Sequence, residues 1–389
     1  MKNHHESSLL ASNVTGNNSS HLHGTAPQLN RIYVFTPVDD TSKWALCALF
    51  STIGCLGFFG NCLLLYFLWK KPKANPIQRS TFMRNLNLYV RSMSVSDILS
   101  CAVSLPPTCI QILFDVFQSG WPCKLVRYLS FIFPAITVNN LVVISLEKHL
   151  STRANPRTFS AATVQKMIIF AWVFGIFFML LPAAAYDGIR VDLNDTHFTV
   201  DCRNDRNFYP FKILLVVFPV QYLLPGIFIT YINICLIKTV WVRGSRSVGN
   251  GPPNNAFKAK MRTVRIKGVS LLIAITFTFI ISYLFFLGYL IAYTLLSQPN
   301  RDFSTDYIIR YASGSIAYLN CVTDVIICFV QMKDFREFLR KRLGRSRSGN
   351  ANSHINNKIC LEKQTYACAQ VAAQKRTVSV QRYVQNGVQ

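Results

Sequence analysis

Acidic residues are scarce in this chain, with 17 Asp and Glu against 41 Lys and Arg and a formal net charge of +24. Charge of either sign is scarcer still in seven apolar runs, at 44–69, 92–114, 128–146, 167–186, 213–237, 268–300 and 311–332. Together they hold two charged residues, Asp97 and Asp324. Each run is long enough for the ~20 residues that carry a helix across a bilayer. That pattern excludes a soluble globular fold and predicts an all-α protein, a seven-transmembrane helix bundle. A charge at the centre of a membrane helix costs roughly 2.5–3.5 kcal/mol even on lenient scales, so two retained carboxylates are candidates for function.

Other absences narrow the function. No soluble basic domain is left once the runs are removed, so the high pI of 9.8 does not signal nucleic acid as a partner. No Gly-x-Gly-Asp accompanies Tyr186 and Asp187, and Asp187 falls at the outer edge of its run, which argues against an intramembrane protease. No inverted repeat or broken pair of spans marks a transporter. No enzyme activity is expected. No apolar core precedes Trp44, so the first run, rather than a cleavable signal peptide, is expected to direct insertion.

Orientation follows from the cations, because Lys and Arg gather in short cytoplasmic loops. Segments 70–91, 147–166 and 238–267 hold eighteen Lys or Arg and one acid, Glu147, and are placed inside. Segments 115–127, 187–212 and 298–310 balance eight cations with eight acids and are placed outside with the N-terminus. The glycosylation sequons at Asn13, Asn17, Asn18 and Asn194 all fall on that outer side. Asn17 and Asn18 overlap, so one of them at most is expected to carry a glycan.

Of twelve cysteines, ten lie within or at the ends of apolar runs or in the inner tail, where they read as small packing residues. Cys123 and Cys202 are the obvious pair on the oxidising side, and a bridge between them would pin the second outer loop over the bundle. In that loop 189–192 and 197–202 alternate in character around Asn194 and Asp195, which predicts a short hairpin. After the seventh run, Phe335, Phe338 and Leu339 share one helical face among cations, which predicts a short amphipathic membrane-surface helix.

Further patterns follow one another along the chain. Gly60 and Asn61 stand on the first run and Ser94 to Asp97 on the second. Lys148 follows Cys123 by 25 residues, within the triplet Glu147, Lys148 and His149. Trp172 and Pro182, Leu224 and Pro225, Leu319 and Asn320 ahead of Asp324 to Cys328, and Phe335 and Arg336 complete the set. In order and mutual spacing these resemble the rhodopsin-like G protein-coupled receptors, nearest in character to the peptide-binding branch. The resemblance implies an extracellular glycosylated tail over 1–43, a receptor domain with its surface helix over 44–343, and a disordered cytoplasmic tail over 344–389. It implies residence in the plasma membrane, an extracellular ligand, a heterotrimeric G protein and membrane lipids as partners, and no cofactor beyond a possible sodium ion.

Departures from the family pattern concentrate in its switch. Lys148 stands for the usual arginine, which keeps the charge and loses the planar fork. Asn233 replaces the fifth-helix tyrosine, and Arg265 stands where an acid would pair with the triplet, leaving Glu147 as the nearest partner of Lys148. Ser282 to Phe285 and Asp324 to Cys328 lack the usual prolines, which predicts straight, stiff sixth and seventh helices. These losses keep a second reading open, a receptor-like membrane protein that binds a ligand or partner with little G-protein activation.

At about 1.5 Å per residue, Asp97 lies about 9 Å from Arg91 and Asp324 about 13 Å from Lys333, the depth also reached by Asn61. A polar pocket is therefore expected at mid-bundle, where the resemblance adds Thr137 and Asn320 and implies shared sodium or a shared proton. The resemblance also implies an outer ligand pocket of Gln111, Ser130, Phe131, Tyr283, Phe286, Leu290, Arg310 and Tyr318. Ser130 stands where amine receptors carry a counter-ion aspartate, and Tyr318 where visual pigments carry the retinal lysine. Neither an amine nor retinal is expected. Arg310 and Gln111 are candidates for holding a peptide carboxylate or amide.

Overall fold

The structure, a computed structural model, describes residues 31–70, 81–116, 120–152, 159–204, 217, 219–246, 256–295 and 302–345. Asn13, Asn17, Asn18 and the tail after Arg345 lie outside the described residues. Seven helices are long and apolar enough to cross a membrane. Their helices are α1 (Asp40–Lys70), α2 (Thr81–Leu113), α3 (Gly120–Thr152), α4 (Ala161–Ala184), α5 (Leu224–Arg246, entered through a wide turn at Pro219–Leu223), α6 (Ala256–Leu295) and α7 (Phe303–Gln331). A further amphipathic helix, α8 (Lys333–Arg345), follows.

Several helices outrun their apolar runs. Helix α2 starts at Thr81 rather than at Ser92, and α7 starts at Phe303 rather than at Tyr311. A helix satisfies its own backbone and so continues past the hydrocarbon until a cap ends it. Ser160 caps α4 by accepting from the Thr163 N–H at 3.1 Å, and Asp302 caps α7 by accepting from Thr305 N–H at 3.0 Å.

Helix α3 is the most buried of the seven spans. Around it, Trp172 Nε1 donates to Ser92 Oγ at 2.9 Å and Ser92 Oγ donates to Asn140 Oδ1 at 3.2 Å, tying α4, α2 and α3 together. On the other side Gly57 sets the spacing. A Cβ there would sit 2.7 Å from Cys101 Sγ and 3.2 Å from Cys321 Cβ, so the missing side chain lets α1, α2 and α7 close around one point.

Two helices are locally unwound or overwound near that point. A wide turn at Ser100–Ser104 interrupts α2 just before Pro106 and Pro107. Helix α6 runs unbroken from Ala256 to Leu295, as the missing proline predicts. Helix α7 does not follow that expectation, because it breaks at Leu319. There the Leu319 carbonyl accepts from both Val322 N–H at 3.0 Å and Thr323 N–H at 2.9 Å, so an overwound turn replaces the proline as the source of the break.

One end of the bundle carries a three-stranded sheet in the order β1 (Ile32–Tyr33), β3 (His197–Asn204), β2 (Tyr186–Asp192). β2 and β3 are antiparallel with Gly188 opposite Cys202, a longer hairpin than 189–192 and 197–202 alone. Asn194 shapes its turn, since its Oδ1 accepts from Thr196 N–H at 3.0 Å and His197 N–H at 2.7 Å. Cys123 and Cys202 are bonded, with Cα atoms 5.4 Å apart, so β3 is fastened to the top of α3. β1 pairs in parallel with β3, and two residues are too few for any period to announce it in the sequence. Arg31 holds Asp192 at 2.6 Å, and the Tyr33 hydroxyl donates to Asp115 Oδ2 at 2.7 Å. Burial and that hydrogen bond raise the Tyr33 phenol well above its ordinary value. At the opposite end Phe335 of α8 is buried, its ring 5.0 Å from that of Phe67.

Candidate functional site

Beneath the hairpin the helices line a partly open cavity of about 100 Å³. Its wall includes Ser130, Phe131, Tyr283, Phe286, Leu290, Arg310 and Tyr318. Gln111 is not among the lining residues. It is buried on α2 with its Oε1 unpartnered among the described residues. The wide turn at Ser100–Ser104 explains the difference, since one added residue rotates everything after it by about 100° relative to a regular helix. Aromatics form much of the wall, with Tyr222 and Tyr283 stacked at a centroid distance of 5.9 Å and Phe131 tilted against Tyr186 at 5.6 Å.

Above this aromatic wall lies a charge network. Asp201 of β3 sits 2.5 Å from Arg203 Nε and 2.9 Å from Arg310 Nη2 on α7. Arg203 Nη2 also reaches Asp306 Oδ2 at 3.2 Å, and the Tyr289 hydroxyl of α6 donates to Asp306 Oδ1 at 3.2 Å. The hairpin is thus bound to α6 and α7 as well as to α3. Burial alone would raise the Asp201 carboxyl, but Arg310 and Arg203 outweigh it and hold the group well below the usual carboxylate range.

At mid-bundle, Asn61, Asp97, Thr137, Asn320 and Asp324 are all buried. Asn61 Nδ2 donates to the Gly57 and Cys321 carbonyls, both at 2.9 Å, and Thr137 Oγ1 lies 3.2 Å from Ser96 Oγ. Asn320 Nδ2 donates to Asp324 Oδ2 at 3.4 Å, and the two carboxylates are within electrostatic reach of one another. Four acceptor oxygens here have no hydrogen-bond partner among the described residues: Asn61 Oδ1, Asp97 Oδ2, Asn320 Oδ1 and Asp324 Oδ1. Orphaned oxygens at this depth fit a hard cation or a proton. Among the described residues no three His, Cys, Asp or Glu side chains group as a metal site would require.

At the end of the bundle away from the sheet, Glu147 and Lys148 are both buried, with Lys148 Nζ 2.6 Å from Glu147 Oε2. Lys148 also donates to the Phe82 carbonyl at 3.1 Å and lies 4.2 Å from the centroid of the Phe82 ring. Asn85 Nδ2 donates to the other Glu147 oxygen at 3.1 Å. The triplet cation is therefore fastened to α2. His149 is half-buried, and Asn233 is buried on α5 with its Oδ1 unpartnered among the described residues. Arg265 lies on α6, and its side chain falls outside the described set.

A family model described as 7 transmembrane receptor (rhodopsin family) matches residues 60–327. The chain belongs to that family. It is 24% identical to the Allatostatin-A receptor of Bombyx mori over 75% of this chain and 77% of that one. It is 21% identical to the Galanin receptor 2a of Danio rerio over 81% of this chain and 82% of that one. Melanopsin of Branchiostoma belcheri is also 21% identical over 75% of this chain, which spans 41% of that longer protein.

As a rhodopsin-family receptor, the protein is a multi-pass membrane signalling protein and not an enzyme. The structure brings seven of the eight expected pocket residues to one cavity and buries each of the five mid-bundle residues. Residue reasoning missed Arg127, Tyr186, Arg203, Tyr222 and Tyr289 in the cavity wall and the carboxylates Asp201 and Asp306 above it. Part of this was legible: Asp201 and Arg203 share one strand face, and Asp306 and Arg310 one helical face.

Proposed function

We propose that this receptor binds an extracellular peptide in the cavity beneath the β2–β3 hairpin and transmits the event to heterotrimeric G proteins across the plasma membrane. The N-terminus and the Asn194 turn lie outside in this reading, and α8 lies on the inner leaflet. The observation that carries it is the covered cavity: aromatic walls to accept side chains, a fixed charge network, and a lid edged by backbone that an extended chain can follow. Ser130 offers an amine no carboxylate, and Tyr318 offers retinal no lysine. Two of the relatives are named as receptors for an allatostatin and for galanin, which supports the same ligand class.

Within this reading Asn61, Asp97, Thr137, Asn320 and Asp324 hold a sodium ion or share a proton, so ligand affinity depends on one or the other. A bound cation there would neutralise paired carboxylates; the side chains themselves supply the acceptors and link α1, α2, α3 and α7. Glu147, Lys148, His149, Asn233 and Arg265 form the switch toward the G protein. A second reading, ligand binding with little G-protein activation, is favoured by the Lys148 ties to Glu147 and Phe82. A peptide library applied to cells expressing the intact chain, read out for several G-protein classes and for binding, tests both. Binding peptides that raise no signal would select the second reading, and a signal only from non-peptide ligands would overturn the first.

A further inference from the structure

The charges around the cavity do not cancel. Arg203 and Arg310 are engaged by Asp201 and Asp306 at 2.5–3.2 Å. Arg127 is different. It lines the same cavity, one turn of α3 above Phe131 and one residue-turn from the Cys123 bridge, yet it makes no ion pair among the described residues. Its Nη2 donates a long 3.4 Å hydrogen bond to the Cys202 carbonyl, and its guanidinium lies 5.5 Å from the centroid of the Tyr186 ring. Its Nε–H is buried without a partner among the described residues, as is that of Arg310, and its side chain interacts with the Tyr311 hydroxyl, so what separates Arg127 from the other two arginines is the missing carboxylate. A guanidinium in that setting lacks its natural bidentate acceptor, and burying a charged group without one is costly. Ser130, one turn deeper on the same helix, is neutral, and its hydroxyl donates back to the Val126 carbonyl at 2.8 Å.

We propose that the ligand presents a carboxylate to Arg127, with an aromatic or aliphatic part lying against Tyr186, Tyr222, Tyr283 and Phe286. The proposal rests on the peptide reading of this cavity and refines it. It also moves the anion contact from Arg310 on α7, which Asp201 already occupies, to α3. A peptide can supply the group in two ways, as a free C-terminus or as an Asp or Glu side chain.

The test uses labelled random heptapeptide pools and membranes from cells expressing the intact chain. Four matched pools separate the sources: free-acid C-terminus without acidic side chains, amidated without acidic side chains, amidated with one Glu, and amidated with Gln in place of that Glu. Free aromatic carboxylates such as N-acetylphenylalanine, with their amides, serve as non-peptide competitors. At least one carboxylate-bearing pool is expected to bind tenfold or more tightly than its neutral match. Arg127→Lys should keep that preference, and Arg127→Gln should abolish it while surface expression persists.

Preference for the free-acid pool alone assigns the C-terminus, and preference for the Glu pool alone assigns a side chain. If small aromatic carboxylates bind in an Arg127-dependent way while every peptide pool fails, the peptide reading falls and the carboxylate assignment stands. Equal binding of acidic and neutral pools, an unchanged preference in Arg127→Gln, or no binding of any probe would overturn the assignment.

Discussion

Replacing Asp201 with Asn should loosen the outer lid. Its carboxylate is 7% exposed and stands between Arg203 and Arg310, which are 15% and 13% exposed. Removing one member of a buried ion pair typically costs about 3–5 kcal/mol, because the partner charge stays behind. Two features reduce that figure here. Arg203 keeps its contact with Asp306, and the asparagine oxygen can still accept one hydrogen bond. Arg310 is the group left without a charge partner, so about 2–3 kcal/mol of destabilisation is expected. The assay is thermal unfolding of the detergent-solubilised receptor, alongside its level at the cell surface. The pH dependence supplies a second check. A folded-state carboxyl held below the unfolded value of about 3.9 contributes its full stability above that value, and loses it only as pH falls through the folded value. The deficit of the variant should therefore be the same at pH 7.5 and pH 5.5. Wild-type unfolding behaviour, or a deficit that disappears at pH 5.5, would refute the network as the tie between lid and α7.

Three other outcomes are expected. Asp97→Asn and Asp324→Asn should each change the sodium or pH sensitivity of ligand binding, and unaltered sensitivity in both would leave the mid-bundle pocket a structural role alone. The receptor should have a small dynamic range, with ligand-independent signal or weak coupling throughout; a silent basal state no higher than that of Lys148→Ala, combined with a full agonist response, would contradict this. Phe335→Ala should destabilise the packing of α8 on α1 by about 3 kcal/mol, the lower end for a buried aromatic, and an unshifted unfolding midpoint would show that α8 is held by the membrane instead.

Some features of this receptor are properties of the chain itself. Hydrocarbon disfavours charge and leaves unpaired backbone unsatisfied, so seven charge-poor runs form seven helical spans, and the cations between them predict an orientation. Alternation announced the hairpin and the outer position of both sulfurs announced the Cys123–Cys202 bond, because each is governed by local pattern or compartment. Phe335, Phe338 and Leu339 likewise announced α8 through one helical face.

Other features exist only where distant segments meet. The two residues of β1 have no period, and they become a strand because β3 offers them an edge. The overwound turn at Leu319 has no proline to mark it, and the wide turn at Ser100–Ser104 shifts the register that placed Gln111 in the pocket. Above all, whether an arginine is spent or available depends on which carboxylate reaches it. Arg310 and Arg127 look alike in sequence, but packing of the lid on α7 brings Asp201 to the first and leaves the second facing the cavity without an acid. Charge complementarity is a matter of ångströms across the tertiary structure, and no one-dimensional pattern encodes those distances.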